Sequence, residues 1–109
     1  MDFTNTEPKH IDWNNISPVI RSGVTGTSGW REIEFPNFRA AVAEIFPNYR
    51  SAEVCSKGHV LFCTEGELTI VFIDGREVKL VAGESLIHGE GEPHIAVTGN
   101  KGARIFVVD

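Results

Sequence analysis

The chain has 109 residues, 41% hydrophobic and 23% charged, which suits one globular domain with one core and excludes general disorder. Fifteen Asp and Glu against ten Lys and Arg leave a formal charge of −5. With no basic run in the chain, this speaks against a dominant nucleic-acid role, though not against a phosphate-bearing small molecule. No apolar run approaches the ~18 residues of a membrane span. Met1-Asp2-Phe3-Thr4-Asn5 has neither the basic nor the apolar region of a signal peptide. Two cysteines, Cys55 and Cys63, are too few for a disulfide scaffold. A cytoplasmic protein with reduced thiols is the expectation.

Residues 1–25 are polar and turn-rich, with Pro8, Pro18, Gly23 and Gly26, yet carry apolar anchors such as Ile11, Trp13 and Ile16. They read as an N-terminal arm packed on a larger body, with one short strand or 3₁₀ turn. Residues 26–109 read as that body. Trp30–Phe35 and Arg39–Phe46 are strands closed by prolines. His59–Thr64 is a third, which Glu65-Gly66-Glu67 interrupts. Leu68–Ile73 and Arg76–Val81 flank Asp74-Gly75, a two-residue hairpin signal. Ser85–His88, His94–Thr98 and Ala103–Val108 complete the set, separated by Gly-rich turns. Short, evenly spaced strands with no long helix predict an all-β antiparallel sandwich or barrel.

Metal-ligating residue types gather at Glu53, Cys55, His59 and His94. The first three have even offsets, so a strand running through them would carry all three on one face. His94 can join only if the fold brings a distant strand alongside. Taken singly, Cys55 is a small buried hydrophobe, His59 a core histidine and Glu53 a solvated charge. His88 ends a strand and reads as a core or rim residue, with a role beside the site as the alternative. His10 reads as solvated and Cys63 as core. Trp30, Phe35, Phe38 and Phe46 read as core or interface.

The glycine spacing adds to this. Counting back from Gly66 across six residues reaches His59, with Cys55 and Glu53 before it; counting on from Gly83 across five reaches Gly89, then Gly91 and His94. This order resembles the two motifs of the cupin superfamily. There His59 stands at the family's Glu position, Glu53 and Cys55 at two His positions, and His94 at the last His. The chain is most similar to a cupin group named for an Asp-His-Cys-Trp motif, through Cys55-Ser56-Lys57-Gly58-His59, Glu65-Gly66-Glu67 and Glu92-Pro93-His94 among other segments. It departs in reading Ala52-Glu53-Val54-Cys55, so that only the motif's Cys remains. The resemblance implies a cupin-type double-stranded β-helix, a jelly-roll barrel with an N-terminal arm, and one central mononuclear metal site.

Two imidazoles, a thiolate and a carboxylate suit one divalent transition metal, Zn²⁺ foremost, with Fe, Ni, Cu or Mn as alternatives. Four bound ligands would close a tetrahedral site and make it structural. With Glu53 off the metal, one position stays open and Glu53 is free to serve as general base. An enzyme acting on a small polar compound and a non-catalytic metal or small-ligand binding module therefore both stay open, as does a degenerate barrel without metal. Finally, a two-residue loop at Asp74-Gly75 would pair Val71 with Val78 and turn Val71, Ile73, Val78 and Leu80 inward. Leu68, Ile70 and Phe72 would then face outward, to be covered by the arm or by a second subunit. A homodimer is the expectation.

Overall fold

A computed structural model describes residues 2–109. Eight strands follow a 3₁₀ turn at Trp13–Asn15: β1 (Val19–Ser22), β2 (Thr27–Glu34), β3 (Arg39–Ile45), β4 (His59–Phe72), β5 (Glu77–Val81), β6 (Ser85–His88), β7 (His94–Val97) and β8 (Ala103–Val108). Every named pairing is antiparallel. One sheet runs β1-β2-β3-β8 and continues through the first half of β4 to β6. The second half of β4 crosses into another sheet, between β5 and β7. Ala41, Ala43, Ile45, Leu61, Cys63, Leu68, Ile70, Phe72, Leu80, Ile105 and Val107 fill the space between the two sheets. The architecture is the all-β antiparallel barrel expected from the strand spacing, and the jelly roll that the cupin resemblance implies.

Two local details overturn parts of the sequence reading. Glu65-Gly66-Glu67 does not end a strand. β4 runs through it with a bulge between Cys63 and Glu65. Gly66 makes this turn feasible: its φ is +74°, and a Cβ there would lie 2.1 Å from the Gly102 carbonyl oxygen. The extra residue changes the inward parity from His59, Leu61 and Cys63 to Leu68, Ile70 and Phe72.

The second correction is the hairpin. Its loop has three residues, Ile73-Asp74-Gly75, closed by the Phe72 N–H donating to the Arg76 carbonyl at 2.8 Å, with Gly75 at φ +103°. Val71 therefore faces Glu77, and Ile70 faces Val78. A one-residue slip exchanges the two faces of a strand. Leu68, Ile70 and Phe72 are interior, whereas Ile73 is 60% exposed. The outward apolar face on which the dimer was argued is thus the barrel interior, and that argument for a partner falls.

The arm lies elsewhere, on the outward side of the first sheet. The Trp13 ring meets Phe106 edge-on at 6.2 Å, and Arg31 Nε donates to the Ile16 carbonyl at 2.8 Å. Asp12 caps the turn through the Asn14 N–H. β1 then joins the sheet edge beside β2. Ala40 and Val42, at outward positions of β3, are buried as well.

Candidate metal centre

Cys55 belongs to the loop between β3 and β4, not to a strand running into His59. An isolated bridge holds it to β7: Cys55 N–H donates to the His94 carbonyl and His94 N–H to the Cys55 carbonyl, both at 2.9 Å. The chain then turns at Gly58, where a Cβ would sit about 3 Å from the backbone of residues 88–90. That turn delivers His59 to the start of β4. Proximity of Cys55 and His59 therefore comes from a loop and a glycine, and not from strand alternation.

One ligand atom each from Cys55, His59 and His94 lies within 4.8 Å of the others. Cys55 Sγ is 3.5 Å from His59 Nε2. Both imidazoles are buried and Cys55 is half-buried. Glu53 is exposed on the rim of the same cavity, and its carboxylate is outside this group.

Each imidazole has a partner on its far nitrogen. His94 Nδ1 is 2.8 Å from the Glu92 carbonyl, an acceptor, so the N–H is on Nδ1 and Nε2 is left with its lone pair. Burial holds the His94 pKa below the ordinary imidazole value. The Glu92 bond acts in the opposite sense, and the neighbouring His59 and His88 add to the lowering. A neutral imidazole with a fixed tautomer is the form that ligates a metal.

His59 Nδ1 lies 2.8 Å from Asp109 Oδ2, although the N–H does not point straight at the oxygen and no well-formed hydrogen bond results. Asp109 also takes two bonds from Arg39, Nε to Oδ1 at 3.0 Å and Nη2 to Oδ2 at 2.7 Å. Burial alone would raise the Asp109 pKa. The paired Arg39 guanidinium and the nearby His59 imidazole outweigh it and hold the carboxyl well below the usual range.

His88 faces His59 across the β4–β6 ladder. Its ring packs edge-on to His59 at 5.2 Å and His94 at 4.7 Å, with Phe72 behind. It is a half-buried neighbour of the cluster and not a member of it. The three donors open on a cavity of about 510 Å³. Leu61, Leu68, Ile70 and Val107 line its interior, and Trp30, Tyr49 and Lys57 also face it. The guanidinium groups of Arg21 and Arg39 lie over the Trp30 ring, 5.0 and 5.4 Å from its centre.

Sequence reasoning missed Asp109 and Arg39. They stand 70 positions apart, and only the β3–β8 ladder makes them neighbours. Trp30 reads from the sequence only as core or interface, and nothing local marks it as the cavity wall it is.

No family model matches the chain, and no curated protein matches it. Solved structures do. The polyketide cyclase RemF from Streptomyces resistomycificus superposes with a TM-score of 0.77 at 25% identity, over 94% of this chain and 78% of that one. A predicted oxalate decarboxylase from Thermotoga maritima gives 0.78 at 17% identity, over 92% and 96%. A cupin-2 domain protein from Shewanella frigidimarina gives 0.59 at 19%, over 73% and 78%. With strand order, two-sheet barrel and solved neighbours in agreement, the chain has the cupin fold.

Proposed function

We propose that this cupin holds one divalent transition metal, Zn²⁺ foremost, through Cys55, His59 and His94, and binds a small molecule in the cavity beside it. The observation that carries the reading is the convergence of a thiol and two buried imidazoles within 4.8 Å at the wall of a large cavity. Three protein donors leave a tetrahedral ion one open position, the arrangement of sites that engage a ligand. A metal bound there supplies Lewis-acid polarisation of a ligand oxygen. The chain's own groups do the rest. Apolar side chains of the barrel exclude water, Trp30 offers an aromatic wall, and Glu53 at the rim accepts a proton from the bound molecule. RemF, with the same fold at 25% identity, is a polyketide cyclase, which supports a small organic molecule as the occupant. The Cys55-to-His59 segment also supports kinship with the Asp-His-Cys-Trp cupins.

Elemental analysis of protein purified without added metal tests the proposal. One divalent metal per chain is expected, with most of it lost in Cys55→Ser, His59→Ala and His94→Ala. Wild-type protein that stays metal-free after exposure to Zn²⁺, Fe²⁺ and Ni²⁺ overturns it.

A further inference from the structure

We infer that Asp109 is the positioning residue of this site: its carboxylate, clamped by Arg39, holds the Nδ1 proton of His59 and so leaves the Nε2 lone pair facing Cys55 and the cavity. A neutral imidazole carries one N–H, and its neighbours decide which nitrogen bears it. His59 Nδ1 is buried, and Asp109 Oδ2, at 2.8 Å, is the acceptor within reach. The approach is off the N–H axis, at hydrogen-bonding distance.

The carboxylate itself cannot swing away. Its side chain is 1% exposed, and a buried carboxylate is held where its donors are. Arg39 grips both oxygens. The two residues also exchange backbone bonds, Arg39 N–H to the Asp109 carbonyl at 2.6 Å and Asp109 N–H to the Arg39 carbonyl at 2.9 Å. Arg39 Nη1 donates to Glu32 at 2.9 Å, and Glu32 accepts from Arg21 of β1 at 2.6 Å. An alternating chain of charges thus runs from the edge strand to the imidazole. An ion pair that served only to join β3 to β8 would have no need to present an oxygen to His59.

The tautomer is independent of any metal; only its consequence for affinity rests on the metal-centre reading. The test uses the ¹⁵N-labelled 109-residue chain, metal-free, at about pH 8, where free imidazole is neutral. Ring ¹⁵N shifts of His59, assigned with His59→Gln, are expected to show the proton on Nδ1. Asp109→Asn should give a mixed or reversed tautomer. Its Zn²⁺ affinity, read by chelator competition, should fall about 10–100-fold with unchanged β signal. A purely structural Asp109 would lower thermal stability and leave both readouts alone. A wild-type proton on Nε2, or an unchanged tautomer in Asp109→Asn, overturns the inference. If Asp109→Asn does not fold, the wild-type tautomer decides. If the wild type takes up no Zn²⁺ yet keeps the Nδ1–H form, the metal reading fails and the positioning role stands.

Discussion

At His94 the demands of burial and of ligation coincide. Burial favours its neutral form, so the folded protein binds that proton more weakly than the unfolded chain. The unfolded state then carries the extra proton just below pH 6.5, and stability falls as pH drops through that range. Asp109 acts lower down. Its depressed pKa gives stability that is present above the ordinary carboxylate value and lost as pH falls below about 4. The urea midpoint of metal-free protein should therefore decline first below about pH 6.5 and again below about pH 4, with His94→Gln weakening the first step only. A midpoint constant from pH 7 to pH 5 would contradict the first assignment. Zn²⁺ affinity should also fall in acid, because both imidazoles must be neutral to ligate. Its decline begins below the free-imidazole value for His94, a shift that competition titrations between pH 5 and 8 measure.

At the scale of elements, the β4–β5 hairpin separates positions that composition cannot. Ile70 and Ile73 are the same residue in one strand-and-turn segment, yet Ile70 is interior and Ile73 is 60% exposed. Ile70→Ala should cost about 2–5 kcal/mol, whereas Ile73→Asp should stay within about 0.5 kcal/mol of wild type. Denaturant curves on the two variants report the register directly, and equal losses would restore the two-residue loop. The bulge is tested at Gly66. Alanine there meets the Gly102 carbonyl and a left-handed backbone, so a loss of about 1–3 kcal/mol is expected. Because Gly66 carries the parity change of β4, its repair by a shifted register would show as altered protection of the Leu68–Phe72 amides in hydrogen exchange.

For the whole molecule, the two sides of the first sheet have different tasks. Trp13 and Phe106 pack on the outward side, away from the donors. Trp13→Ala should lower stability by about 1–2 kcal/mol, since a half-buried ring contributes part of a full burial, and should leave metal content unchanged. Loss of metal in that variant would show the arm and the site to be coupled. Metal and fold should be linked in the other direction. Zn²⁺ at a hundred times its dissociation constant adds about 2.7 kcal/mol, and raises the melting temperature of a domain this size by roughly 10 °C. Cys55→Ser should abolish most of that rise. An unchanged melting temperature in the wild type would count against a site formed only in the folded state.

The strands and the types of donor were readable from the sequence. Period-two hydrophobicity and Gly-rich turns are local signals, so β3 and β5 to β8 stand within a residue or so of where alternation put them. Glu53, Cys55, His59 and His94 drew attention by chemistry and by motif spacing. What alternation could not reveal was everything set by pairing with a distant segment. One extra residue at the β4 bulge reverses inside and outside for the rest of the strand, and its cause is a backbone approach to Gly102, far along the chain. The three-residue loop at Asp74-Gly75 is chosen because it brings Leu68, Ile70 and Phe72 into the core, a gain invisible to the turn residues themselves. Glu53 and Cys55 share a parity, yet the loop leaves the first on the rim and bridges the second to β7. Asp109 and Arg39 meet His59 only across the β3–β8–β4 ladders. Sequence determined which chemical groups the barrel would carry. Tertiary structure decided which of them meet, because burial and ladder hydrogen bonds act between residues that are neighbours only once the sheets have closed.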